Sequence, residues 1–159
     1  MSDSYKKFYS DYKNKLFSYL LYKSGDYEVA SDIVQESFTR HFQHYGNEAV
    51  LSPALLYTIA RNALTDHHRY RERFQIVNNA LPEETADEAE SPDIRIQSKR
   101  INDALGKLPK QDRELLSLAT GGLPYKEIAA LLDISEANVK VRVHRIRLRL
   151  RTILNDEVE

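Results

Sequence analysis

Residues 124–151, PYKEIAALLDISEANVKVRVHRIRLRLR, leave few folds open. A short segment spaces Ile128, Ala129 and Leu132 on one helical face and breaks at Asp133-Ile134-Ser135. In the longer segment that follows, Val139, Val143, Ile146, Leu150 and Ile153 recur at steps of four and three, the spacing of one apolar helical stripe. Lys140, Arg142, His144, Arg145, Arg147, Arg149 and Arg151 cover the remaining surface. The stripe must be buried against other elements, and the cationic remainder then faces outward, suited to a polyanion. Two helices joined by so short a turn form a helix-turn-helix, whose second helix fits the DNA major groove.

Each residue of the break has a physical task. Ala129 is small where two helices must cross closely. Asp133 stands where the chain turns, and Asp tolerates left-handed backbone better than most residues. Ser135 can cap the second helix through its hydroxyl, and Val139 can plug the space between the helices. The competing reading is a basic amphipathic helix that is merely solvated or that binds a protein partner.

A chain of 159 residues makes one domain or two very small ones. It has no cysteine, which excludes disulfides, thiolate zinc sites and cysteine nucleophiles. No run approaches the ~18 apolar residues of a membrane span, and the N-terminus lacks a secretion signal. A soluble cytoplasmic protein is expected. The net charge of −1 conceals segregation: residues 97–153 carry +6, while residues 74–96 carry −5. The C-terminal block therefore has the electrostatic footprint of a DNA-binding module.

Helical periodicity predicts an all-α chain. One helix over 4–22 carries Phe8, Tyr12, Leu16, Tyr19 and Leu20 on a face, and Gly25-Asp26 ends it. A second over 27–43 carries Val29, Ala30, Ile33, Val34, Phe38 and Phe42. After a loop over 44–52, Pro53 opens a helix to about residue 72, with Leu55, Leu56, Ile59, Ala60 and Leu64 as its apolar side. Pro82, Pro92 and six acids leave little to bury over 77–93, which reads as a flexible acidic linker. Helices resume near residue 94, with breaks at Gly106 to Pro109 and at Thr120-Gly121-Gly122. The expected architecture is two small helical domains, 1–76 and 94–159, tethered without fixed spacing.

Three motifs in this order resemble the extracytoplasmic-function class of bacterial RNA polymerase sigma factors, within the sigma-70 superfamily. Asp32-Ile-Val-Gln35-Glu36-Ser-Phe38 is similar to the DxxQExF of region 2.2. Tyr57-Thr-Ile-Ala60-Arg61-Asn62-Ala-Leu-Thr-Asp66-His-His-Arg69 is similar to the IARNxxxDxxR signature of regions 2.3 and 2.4. Leu108-Pro109, Tyr125-Lys-Glu127-Ile128-Ala129 and Asn138-Val139-Lys140-Val-Arg142-Val-His-Arg145 resemble region 4. The likeness covers about residues 5–73 and 97–152. One departure is Leu55, where family members often carry Trp.

The resemblance implies a non-catalytic subunit without cofactor or metal. Its partners would be core RNA polymerase, double-stranded promoter DNA and the melted non-template strand; relatives are often held inactive by an anti-sigma factor. Asp32, Gln35, Glu36 and Arg40 would meet the polymerase, with Phe38 packed inward. Tyr45, Tyr57, Arg61, Asn62, His67, Arg69 and Arg71 would meet the −10 element, with cations on phosphates, Asn62 on an extruded base and a tyrosine stacked on a base. Asn138, Lys140, Val141, Arg142, His144, Arg145 and Arg147 would meet the −35 element. In relatives the linker threads the polymerase's cationic channels, and Glu83, Glu84, Asp87, Glu88, Glu90 and Asp93 suit such a path.

Two rivals stand beside this reading. His41 and His44, one helical turn apart, and His67 with His68 raise zinc, but the pairs lie on different helices and no cysteine joins them. A stand-alone helix-turn-helix regulator accounts for residues 94–154 but leaves DIVQESF and IARN without a task. Such a regulator differs from a sigma factor in whether promoter binding requires core polymerase.

Overall fold

The computed structural model describes residues 2–78 and 92–156, with side chains over 2–73 and 99–156. The acids assigned to the linker lie outside the described side chains. Seven helices are seen among the described residues: α1 (Asp3–Ser24), α2 (Tyr27–Tyr45), α3 (Pro53–Asn78), α4 (Pro92–Gly106), α5 (Lys110–Thr120), α6 (Tyr125–Leu132) and α7 (Glu136–Asp156).

Local chemistry sets the helix ends. The Ser2 hydroxyl accepts from the Tyr5 N–H at 3.3 Å and starts α1. Gly25, at φ 67, ends it in the left-handed conformation that glycine adopts without a Cβ penalty. Asp26 then caps α2, its Oδ1 accepting from the N–H groups of Glu28 and Val29 at 2.9 and 3.2 Å. Pro53 occupies the first position of α3, and Pro92 that of α4, where a missing N–H costs nothing. Helix α3 runs to Asn78, beyond the expected end near 72, because residues 73–78 contain neither Gly nor Pro.

Helices α1, α2 and α3 bury Tyr5, Phe8, Leu16, Leu20, Ala30, Ile33, Val34, Phe38, Leu56, Tyr57, Ala60, Ala63 and Leu64. Two expectations fail at the edges of these faces. Phe42 and Leu55 are each 40% exposed. The stripe of α2 continues through Ser37 and His41, and that of α3 runs Leu56, Tyr57, Ala60, Ala63 and Leu64, one position on from the expected phase. Ladders of three and four from Pro53 reach 56/57 and 60, not 55, so Leu55 points away.

Helices α4 to α7 bury Ala104, Leu108, Leu115, Leu116, Leu118, Leu123, Ile128, Ala129, Val139, Val143 and Ile146. The buried residues of both blocks form one continuous cluster, with α5 packed on α1 and α6 on α3. The Gly121-Gly122 turn lies against Lys15 of α1. Gly122 has φ +93, and a Cβ there would meet the Lys15 side chain at 3.4 Å. A tether without fixed spacing does not require this docking; the tertiary structure supplies it.

Candidate nucleic-acid interface

The α6–α7 pair is built as the sequence predicts. Asp133 ends α6 at φ 56, ψ 48, and its N–H donates to the Ala129 carbonyl. Ile134 donates to the same oxygen at 3.1 Å. The Ser135 hydroxyl accepts from the Asn138 N–H at 3.1 Å and caps α7. Val139, Val143 and Ile146 are buried, and Leu150 and Ile153 are half-buried against the same cluster. The apolar stripe fixes the helix's rotation. Asn138, Lys140, Val141, His144, Arg145 and Arg147 are consequently exposed, Val141 at 46%. Arg142 is half-exposed and lies 3.8 Å from the Asp112 carboxylate of α5. At the far end, Arg100 of α4 donates to the Leu154 carbonyl at 2.7 Å and satisfies a terminal acceptor of α7.

On α2, Asp32, Gln35, Glu36 and Arg40 share the exposed face. Glu36 and Arg40 form an ion pair at 2.5 Å, one turn apart and about half-exposed, so it adds little stability. Phe38 is buried on the opposite side, as expected.

The residues proposed for a −10 element divide by depth. Asn62 and Arg69 are exposed, whereas Arg61, His67 and Arg71 are half-buried. His67 Nε2 is buried without a protein hydrogen-bond partner. Tyr45 is half-buried beside His41 and His44, ring centroids 5.5 and 6.2 Å away. Tyr57 is 1% exposed, its ring 5.5 Å from that of Tyr19. Burial raises the pKa of its hydroxyl above the usual tyrosine value. In this arrangement Tyr57 supports α3 from beneath and offers no face to a base.

His41 is fully buried whereas His44, one turn on, is exposed, so the two rings do not face a common site. Its ring stacks on Phe8 at 5.0 Å and 21°, and Nδ1 lies 3.0 Å from the Tyr5 hydroxyl, itself 3.2 Å from the Phe38 carbonyl. Burial lowers the His41 pKa, against a backbone hydrogen bond at Ser52 that raises it. Burial also pushes the Tyr5 hydroxyl up to about 12. The helical ladder from Ala30 through Ile33, Val34, Ser37 and Phe38 was the signal that would have placed His41 inside.

A second cluster is not legible in the sequence because its other members lie 53 to 95 positions from Glu114. Glu114 of α5 receives the Tyr19 hydroxyl at 2.5 Å and Lys23 Nζ at 2.6 Å, both from α1, and Arg61 Nε of α3 lies 3.2 Å away. Burial raises the pKa of this carboxyl, but the hydrogen bonds from Lys23 and Tyr19 and the charges of Lys23 and Arg61 outweigh it, so the net shift is downward. No window of local spacing shows such a group.

Known proteins are similar to this chain in sequence and in fold. The family model for sigma-70 region 2 matches residues 8–74, and that for sigma-70 region 4 matches residues 98–150. The ECF RNA polymerase sigma factor SigM of Bacillus subtilis is 31% identical over 153 residues, 92% of this chain and 93% of that protein. SigL of Mycobacterium tuberculosis, an ECF RNA polymerase sigma factor, is 32% identical over 155 residues, 93% of this chain and 87% of that one. Among solved structures, the sigma factor RpoE in complex with the anti-sigma factor NepR from Bartonella quintana superposes with TM-score 0.65 at 25% identity, covering 97% and 98% of the two chains. CnrH in complex with the cytosolic domain of CnrY superposes with TM-score 0.58 at 22% identity, covering 96% and 88%, a likeness of fold.

Proposed function

The chain belongs to the extracytoplasmic-function class of RNA polymerase sigma factors, and we propose that it works through three surfaces on its two helical blocks, residues 1–76 and 94–159. The exposed side of α2, with Asp32, Gln35, Glu36 and Arg40, docks on core polymerase. The side of α3 carrying Arg61, Asn62, His67, Arg69 and Arg71, with Tyr45 beside it, holds the −10 element and its melted non-template strand. The outer face of α7 reads the −35 element: Lys140 and Arg145 donate to guanine edges or phosphates, Val141 meets a thymine methyl, and Asn138, Arg142, His144 and Arg147 complete the contact.

The observation that carries this is the rotation of α7. Its apolar stripe is buried, and every remaining position from 140 to 149 other than the exposed Val141 and Leu148 is cationic or histidine. The protein supplies no reaction chemistry; nucleotide addition belongs to the polymerase. Among the described residues no group of three or more His, Cys, Asp or Glu side chains converges as a metal site would require. No helix among them is long and apolar enough to cross a membrane. The complex of the neighbour RpoE with the anti-sigma factor NepR supports an anti-sigma factor as a further partner.

In vitro transcription with purified core polymerase and a genomic DNA library tests the reading. New discrete transcripts downstream of a shared two-part motif are expected only when the protein is added. Specific DNA binding without polymerase, and no new transcripts, would favour a stand-alone regulator.

A further inference from the structure

Helix α5 presents two carboxylates toward the cations of the two helices assigned to DNA. Asp112 faces Arg142 of α7, and Glu114 takes Arg61 of α3. The Glu114 contact joins the two blocks, since Tyr19, Lys23 and Arg61 all precede the linker and Glu114 follows it. The face of α1 beneath it belongs to the same seam: Lys15 meets the Gly121-Gly122 turn, and Tyr12 lies close enough to Glu127 of α6 to feel its charge. Tyr12, Lys15, Tyr19 and Lys23 are spaced by three and four, so one stripe of α1 serves the docking.

The Glu114 side chain is 13% exposed, and a carboxylate so placed requires its partners. Arg61, at 35%, remains reachable from solvent. A guanidinium that satisfies this carboxylate through Nε is not free to hold a phosphate there in the same geometry. A cleft lined by Arg61, Lys110, Gln111, Glu114, Leu132 and Arg142 opens beside the pair, so the carboxylate shares it with three cations.

We propose that Glu114 is an interdomain latch: held by Tyr19, Lys23 and Arg61, it keeps the C-terminal block docked on the N-terminal block and withholds Arg61 from nucleic-acid phosphate until the blocks separate. The free protein is then closed. A polyanion competing for Arg61 and Lys23 drives opening, since it gains contacts only in the open state. This rests on the assignment of Arg61 to the −10 surface.

The chain has no native cysteine, so Lys7→Cys and Asn155→Cys, both at exposed positions, can carry a donor–acceptor dye pair in the full-length protein. Glu114→Gln keeps the shape and an acceptor for Tyr19 but removes the charge. It should lower transfer efficiency in the free protein and tighten binding of a short oligothymidylate strand about tenfold, the order expected for one charge-assisted contact. Measured in the Arg61→Gln background, Glu114→Gln should no longer tighten binding, whereas mere removal of a negative charge would tighten it equally in both backgrounds. Lys23→Gln should likewise lower transfer efficiency in the free protein, since it removes one holder of Glu114, and this keeps the latch testable should Glu114→Gln fail to fold. Unchanged transfer efficiency, or a strand-binding gain that survives Arg61→Gln, overturns the latch. Failure of the promoter reading is separate: it would show as no initiation by the unaltered chain with core polymerase, whatever the dye distances report.

Discussion

Asp133 is the one non-glycine residue with positive φ among the described residues, and it stands where the chain must reverse between α6 and α7. Its neighbour Ser135 accepts the Asn138 N–H and sets where α7 begins. Ser135→Ala should therefore cost about 1 kcal/mol of stability in denaturant titration, with the helix and its exposed face otherwise intact. Arg145 sits on that face without burial. Arg145→Ala should reduce initiation from −35-dependent promoters about tenfold, the order of one lost base contact, while affinity for core polymerase stays constant. An equal fall in polymerase binding would show that this face does another job.

At the scale of the element, α7 and α3 show how far periodicity reaches. In α7 the apolar stripe is uninterrupted and, from 140 to 153, every competing position is charged or polar except Val141 and Leu148, so the phase is unambiguous in sequence. In α3, Leu55, Leu56, Tyr57, Ile59 and Ala60 crowd two faces, and only packing against neighbouring helices, α2 above all, selects Leu56 and Tyr57 as the inner pair. The same ambiguity leaves Leu55 outside. Small size matters where α6 crosses α7: Ala129 is nearly buried. Ala129→Leu should cost about 1–3 kcal/mol through overpacking. Its binding of duplex −35 DNA should fall more than its binding of a −10 single strand, because the spread is confined to the α6–α7 pair. Equal losses of both would place Ala129 in the support of the whole molecule.

For the whole molecule, pH should weaken the fold in two successive windows. His41 has a folded pKa below its usual 6.5, so the unfolded chain takes the proton first as pH falls. The His41 contribution is complete above 6.5 and is lost as pH drops from there to the folded value. Glu114 lies below its usual 4.5 in the folded protein, so its contribution is complete above 4.5 and is lost as pH falls through the lower folded value. Urea unfolding across this range should show the midpoint falling in both windows. His41→Phe should shrink the first window, to which His68, its pKa lowered chiefly by burial, also contributes, and leave the second. A first window unchanged in the variant would assign it to groups other than His41.

The sequence by itself determined the seven helices to within a few residues at most ends, the turn at Asp133 to Ser135, the outward face of α7 and the outward face of α2. These are local: they follow from capping chemistry and from apolar spacing within one helix, which operate over a few residues. Only the tertiary structure decided that Tyr57 and His41 lie inside, that Phe42 and Leu55 lie at the edge, and that Glu114 meets Tyr19, Lys23 and Arg61. Those outcomes depend on which neighbouring helix covers each face and on residues far apart in the chain meeting across the two blocks, and neither distance nor partner is encoded in the period of any single helix.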